Sequence, residues 1–323
     1  MAKIKLHKDL RLRGAMLKVF ALPNGRLASM LMYKLTAILR GKHGKKLRYE
    51  QIFIPRKDET LLRVCIYSPF EQKQSAPGLL WLHGGGYCIG APEQDETAYI
   101  ERFIDWGAGV VAAPDYMKSV IAPYPAALDD CYAALLWLRD NGVKYGMRGD
   151  QLFIGGTSAG GGLTAALSLY ARDKKEVAIA FQMPLYPMID DRPTKSNTGN
   201  TAPLWNSKKN DLAWRMYLGN LYRTAQTTCY AAAARAKDYS GLPPTCTFVG
   251  DIEPFYDEVS AYVENLRKAG IPIHFKVFPG CFHSFDGVCR KSSVAKEASQ
   301  LLEDSFKCAT LNYYAKQMPA SDG

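Results

Sequence analysis

The chain has 323 residues, 47% of them hydrophobic and 22% charged, with a formal net charge of +10. That composition supports a large buried core and excludes a disordered polyelectrolyte. No stretch approaches the roughly 18–20 unbroken apolar residues of a spanning helix, and the charged opening Met1–Leu10 lacks the pattern of a secretory signal.

The first 48 residues read as helix, break, helix. Leu10, Leu17 and Phe20 recur at helical spacing, and Pro23-Asn24-Gly25 interrupts them. Leu27, Met30, Leu31, Leu35, Ile38 and Leu39 resume the pattern until Gly41 to Gly44 ends it. This segment holds 13 Lys or Arg and one acid, Asp9, for a net +12, while the remainder carries −2. The plain reading of that charge is a solvated helical face. The alternative is attraction to an anionic membrane surface. No recognised nucleic-acid-binding motif accompanies it, so nucleic acid is not an expected partner.

From there strand-like and helix-like runs alternate, which predicts an α/β fold: a mostly parallel central sheet with helices on both faces. Strands are expected at Leu61–Tyr67, Gly78–His83, Gly109–Ala113, Gln151–Gly155, Ile179–Pro184, Thr245–Val249 and Ile273–Phe278. Helices fit at Glu93–Trp106, Ala126–Asn141, Ala159–Ala171 and Asp257–Ala269, with a last one from about Val294. The stretch 190–238 breaks the alternation. It is polar, carries Trp205 and Trp214, and suggests short helices around Lys208–Leu218. The chain therefore divides into an N-terminal helical segment (1–48), a first core part (49–189), an insertion (190–238) and a second core part (239–323).

Eight cysteines (Cys65, Cys88, Cys131, Cys229, Cys246, Cys281, Cys289 and Cys308) form no C-x-x-C pair and no zinc-ligand spacing. Most sit in apolar runs, as free thiols do. The expectation is a reduced, cytoplasmic protein, monomeric or homo-oligomeric.

Gly156-Thr157-Ser158-Ala159-Gly160 is a G-x-S-x-G motif where an apolar strand meets an Ala/Leu-rich helix. A serine on such a tight turn is lifted out of the sheet and backed by the amides of a helix N-terminus. Ser158 is the candidate nucleophile. A Gly-rich phosphate turn is the competing reading. Earlier, an apolar strand runs into His83-Gly84-Gly85-Gly86. Consecutive glycines let main-chain amides converge, so Gly85 and Gly86 with Ala159 are candidates for an oxyanion hole, each donor being worth about 2.7–4 kcal/mol of barrier. His83 then reads as structural, holding the loop.

His83-Gly-Gly-Gly86 followed by Gly156-Thr-Ser-Ala-Gly-Gly161 resembles the hormone-sensitive-lipase-like group of α/β-hydrolases. Asp115-Tyr116, the run Tyr124–Asp130 and Trp137 extend the likeness over about residues 60–290. The resemblance implies the α/β-hydrolase fold, carboxylesterase activity on short acyl esters of small molecules, and a helical cap. Residues 1–48 and 190–238 fit the two places from which that cap is built. The chain departs from the pattern at Thr157, where the group has Asp. It departs again at Met117-Lys-Ser-Val-Ile-Ala-Pro123, which replaces an Arg-Leu-Ala-Pro-Glu stretch.

Of five histidines, His283 follows the last strand in a loop that can reach the serine, and the group's His-Gly-Phe reads here as His283-Ser284-Phe285. His7 and His43 lie in the basic segment, and His274 falls inside the last strand. For the acid, Asp251, Glu253 and Asp257 are all available after the preceding strand. The resemblance aligns Glu253 with the catalytic aspartate; Asp251 remains the alternative, and Asp257 reads as a cap of the helix that follows. The chain order Ser, acid, His is that of α/β-hydrolases. A Ser158–His283–Glu253 triad needs no metal or organic cofactor. A peptidase or amidase on the same triad and a non-catalytic small-molecule receptor on the same scaffold are the other readings.

Overall fold

The computed structural model describes residues 5–19 and 25–317. Phe20, Pro23 and Asn24 of the expected N-terminal pattern lie outside the described residues. Eight strands form one sheet: β1 (Arg48–Pro55), β2 (Leu61–Ser68), β3 (Ala76–Leu82), β4 (Val110–Pro114), β5 (Met147–Thr157), β6 (Phe181–Leu185), β7 (Thr245–Gly250) and β8 (Ile273–Phe278). Their spatial order is β1-β2-β4-β3-β5-β6-β7-β8. β2 runs antiparallel to β1 and β4, and the other neighbours are parallel.

Burial explains which strands are visible in sequence. β3 and β4 are buried at every residue, as parallel strands covered on both faces must be. β1 is an edge strand with no fully buried residue. Tyr49, Ile52 and Ile54 lean on the core, while Arg48, Glu50, Gln51 and Phe53 face solvent. That polar mixture is why β1 was not among the expected strands.

The expected helices fall close to their places. α4 is Ala126–Asn141, α5 Ala159–Lys174, α7 Tyr256–Lys268 and, after the one-turn α8 (Phe285–Val288), α9 is Ser293–Asn312. The exception is 93–106, where only α3 (Glu101–Trp106) is α-helical, after a 3₁₀ turn at Pro92–Asp95 and a π turn at Glu96–Ile100. The irregular turns send three acidic side chains to separate partners. Glu93 and Glu96 accept the amides of Gly41 and Gly44, and Asp95 accepts the buried indole N–H of Trp81. α3 and α9 cover one face of the sheet, with Phe103 and Phe306 in contact. α4, α5 and α7 cover the other, with Tyr132 and Tyr170 meeting edge to face.

The N-terminal segment forms α1 (Arg11–Val19) and α2 (Arg26–Thr36), then a 3₁₀ turn at Ala37–Leu39 that ends the helical run before Gly41. A buried charge cluster fastens it to the core. Arg63 of β2 bridges Glu93 at 2.5 Å and Asp115 at 3.0 Å, and Arg40 reaches Asp115 at 2.8 Å. Lys118, fully buried, closes on the other Asp115 oxygen at 3.0 Å. Burial works against the Asp115 carboxylate, yet Lys118, Arg40 and Arg63 hold its pKa well below the ordinary range.

Within residues 190–238 the main element is α6 (Ser207–Leu218), capped by the Asn206 side chain on the Lys209 amide. Arg235 pairs with buried Asp191 at 2.6 Å, pinning the far end of the segment. Among the described residues, no helix is long and apolar enough to cross a membrane.

Removing one partner of a buried ion pair strands the other charge, at a typical cost of 3–5 kcal/mol. Arg63→Met is expected to lower the unfolding free energy by about 3 kcal/mol in urea titrations. Asp95 gives a pH-dependent counterpart. Burial pushes its carboxyl up to about 7, while the unfolded chain releases that proton near 3.9. The folded state therefore holds the extra proton, and stability from this group falls as pH rises between those values. Asp95→Asn keeps an oxygen acceptor for Trp81 but does not titrate. Its stability relative to wild type should rise from about pH 4 to pH 7.5, measured by parallel urea titrations.

Candidate active site

Ser158 stands between β5 and α5 with φ 57° and ψ −118°, a backbone state that non-glycine residues hold only when the surroundings impose it. Three hydrogen bonds impose it here. The Ser158 amide donates to Leu185 O at 3.0 Å, and its carbonyl accepts from the amides of Gly162 and Met188 at 2.9 and 3.0 Å. Two residues on, Gly160 permits the turn. A Cβ there would lie 2.0 Å from the Leu82 carbonyl oxygen at the end of β3.

That contact brings the loop after β3 against the serine. A side chain at Gly84 would begin 3.4 Å from the Ser158 Cβ. Gly85 adopts φ +135°, and a Cβ on it would strike the Ile89 carbonyl oxygen at 2.1 Å. The loop is held from behind. The Tyr116 hydroxyl donates to His83 O at 2.8 Å, and Gln94 Nε2 donates to Gly84 O at 3.1 Å. The His83 ring stacks on Tyr116 at 4.3 Å, with Nδ1 2.7 Å from Gly84 O. Burial pushes the His83 pKa down to about 3, so the ring is neutral and its Nδ1–H donates to that carbonyl. The amides of Gly85 and Gly86 have no acceptor among the described residues, and Ala159, as the first residue of α5, has none within its helix.

His283 lies in the loop after β8 and Glu253 in the loop after β7. His283 Nε2 is 2.8 Å from Ser158 Oγ, and Nδ1 is 2.5 Å from Glu253 Oε2. The second Glu253 oxygen accepts the Gly250 amide at 2.7 Å. All three side chains are buried, Glu253 completely. Burial raises the Glu253 pKa above its ordinary value, against the pull of His283 and the Gly250 amide. Phe255 meets the imidazole at right angles, ring centroids 4.8 Å apart, and Tyr186 packs on it at 5.1 Å.

The other candidate acids go elsewhere. Asp251 is exposed and accepts the Gly280 amide at 2.6 Å. Asp257 does not cap its helix. α7 begins at Tyr256 with no side-chain cap, and the Asp257 carboxylate accepts the Ser196 amide at 2.6 Å instead. The neighbouring Glu258, fully buried, accepts the Ile189 amide at 2.8 Å. His43 stacks on Tyr49, and His274 sits half-buried on edge strand β8. Thr157, one departure from the group's pattern, lies against Gly84. Lys118, in the other, is the buried cation of the Asp115 cluster.

A cleft of about 380 Å³ opens above Ser158. Its floor is Ser158, His283 and Gly84–Gly86. One wall comes from α2 (Ala28, Ser29, Met32) and another from α6 (Lys209, Leu212, Ala213, Met216). Trp205 crosses over Gly86 between them. The wall residues were not singled out in the sequence, although the 209-212-213-216 spacing marks one helical face. Tyr87 and Tyr217 stack at 3.8 Å, fixing α6 to the loop that carries the glycines.

A family model described as the alpha/beta hydrolase fold matches residues 79–287. The chain is 29% identical over 260 residues to a carboxylesterase of Mycobacterium tuberculosis, covering 79% of this chain and 80% of that one. It is 31% identical over 258 residues to an arylesterase of Saccharolobus solfataricus, covering 76% and 80%. Among solved structures, a bacterial heroin esterase superposes with a TM-score of 0.84 at 30% identity, covering 95% of this chain and 98% of that one. The chain belongs to the α/β-hydrolases, in their hormone-sensitive-lipase-like carboxylesterase family.

Proposed function

We propose that this protein is a serine carboxylesterase that hydrolyses short-chain acyl esters, such as acetyl esters, of small molecules through Ser158, His283 and Glu253. The observation that carries the reading is the continuous hydrogen-bonded chain from Glu253 through His283 to Ser158 at the floor of a largely apolar cleft. Ester hydrolysis also agrees with the named activities of the relatives. The short-acyl preference rests on the modest cleft. Residues 1–48 and 190–238 act as its cap, since α2 and α6 form the two walls. The eight cysteines form no disulfide, which favours a cytoplasmic setting.

In this mechanism His283 takes the Ser158 proton as Oγ attacks the ester carbonyl. Glu253 accepts from Nδ1–H, fixing the tautomer that leaves Nε2 free, and stabilises the imidazolium that forms. The amides of Gly85, Gly86 and Ala159 hold the oxyanion. His283 then passes the proton to the departing alcohol, and water repeats the sequence on the acyl-serine to release the acid. The Glu253 carboxylate does this from the Gly250–Glu253 turn, where the Gly250 amide anchors its second oxygen.

Ser158→Ala should leave the fold intact and reduce p-nitrophenyl acetate hydrolysis on the order of 10⁵-fold. Full activity in that variant would reject the reading. Glu253→Gln is expected to lower kcat by about 10³–10⁴-fold by presenting the wrong partner to Nδ1–H. Asp251→Asn should stay within about twofold of wild type, because its carboxylate is exposed and distant in role. The opposite ranking would transfer the acid to Asp251. A series of p-nitrophenyl esters from acetyl to decanoyl should show kcat/KM falling as the chain outgrows the cleft, and activity only on amides would make it an amidase.

A further inference from the structure

Helix α2 has two apolar faces and the protein uses only one. Ala28, Ser29 and Met32 line the cleft. Leu27, Leu31 and Leu35, spaced i, i+4, i+8 along the neighbouring face, are 88%, 59% and 47% exposed. Ile38, in the turn that follows, is 58% exposed. No residue of α2 is fully buried. Four large aliphatic side chains in one row exceed the scattered exposure normal for a surface.

The charges around that row have one sign. Arg26 and Lys34 lie on the helix itself, and Lys42 and Lys45 follow it, all exposed. No ion pair to any of these four occurs among the described residues, whereas Arg40 and Lys46 are neutralised by Asp115 and Glu101. The N-terminal 48 residues carry +12 against −2 for the rest. A row of leucines flanked by unneutralised Lys and Arg is the composition of a helix lying in a membrane interface. Self-association fits less well, because a two-fold contact through this face would set the same positive surface against itself.

We propose that the outer face of α2 docks on an anionic phospholipid surface. Leu27, Leu31, Leu35 and Ile38 enter the boundary between headgroups and acyl chains, while Arg26, Lys34, Lys42 and Lys45 meet the lipid charge. The helix then lies between the lipid and the cleft, with one face in each. The docking stands independently of the esterase reading, since none of these side chains lines the cleft.

Sedimentation of the full-length protein with phospholipid vesicles tests this. Vesicles of phosphatidylcholine with about one quarter phosphatidylglycerol should bind it at least about tenfold more tightly than phosphatidylcholine alone. Raising NaCl to about 0.5 M should weaken the binding severalfold by screening. The double variant Leu27→Ser/Leu31→Ser should bind at least about tenfold more weakly, with its melting curve unchanged because both side chains face solvent. Absence of binding to the anionic vesicles would overturn the proposal, as would equal binding by the double variant. A wild-type dimer that this variant dissociates in sedimentation equilibrium would assign the face to a second copy instead.

Discussion

The first turn of α5 and the last carbonyl of β3 approach so closely that Gly160 has no space for a carbon atom, the nearest oxygen lying 2.0 Å from where a Cβ would sit. From this contact the rest of the site follows. It lets α5 begin directly over the sheet edge and forces Ser158 into its unusual backbone state, where Leu185, Gly162 and Met188 hold it by hydrogen bonds. It also brings the His83–Gly86 loop, which leaves the same strand end, beside the serine. The parallel order of β3, β5, β6, β7 and β8 places the loops after β7 and β8 on the same side. Glu253 and His283 therefore arrive from sequence positions far from Ser158, at the carboxyl end of the sheet where open α/β folds build their sites.

A second constraint holds the N-terminal segment in place. The N-terminal segment contributes Arg40 and the amides of Gly41 and Gly44, and the body answers with Asp115, Glu93 and Glu96. These carboxylates are buried, so each bond forms where water competes poorly. Asp115 joins segments distant in the chain, because Arg40, Arg63 and Lys118 all converge on it. Lys118 stands in the stretch that departs from the family pattern, and its ammonium also lies 4.1 Å from the Tyr116 ring. Tyr116 in turn supports the His83 loop. The anchor of the N-terminal segment and the glycine loop thus share a support, which links the position of α2 to the loop beside Ser158.

Much of this was legible in the sequence, for identifiable reasons. Apolar runs such as Leu79–Leu82 and Val110–Ala113 are buried on both sides of a sheet, so their composition alone announces them. The serine turn was legible because its glycines are demanded by contact, and His283 because few histidines exist and one follows the last strand. Three features were hidden. β1 is half-polar because it is an edge. The irregular turn at 92–100 has helix-compatible composition, and only tertiary partners at Gly41, Gly44 and Trp81 decide its path. Asp257 has the residue type of a helix cap, yet it falls one residue inside α7 and its carboxylate accepts the Ser196 amide from the 190–238 segment. Glu253 and Asp251 could not be separated by local sequence, because two residues on one tight loop point in different directions.

The cleft divides its parts between elements of different rigidity. Its floor comes from strand ends and the loops immediately after them, embedded in the core. Its walls come from α2 and α6, which touch the sheet little and are fixed by separate devices: the Arg40–Asp115 pair and the Gly41 and Gly44 amide bonds just after α2, and the Tyr87–Tyr217 stack with the Asp191–Arg235 pair for α6 and its segment. Side chains such as Met32, Leu212 and Met216 can therefore change without disturbing the hydrogen bonds at Ser158, His283 and Glu253. Methionine on both walls adds adaptability, since its unbranched side chain fills irregular space. The shape of the cleft is then set by residues that carry no motif, and this is the physical reason that ester hydrolysis can be read from the chain more readily than the particular ester.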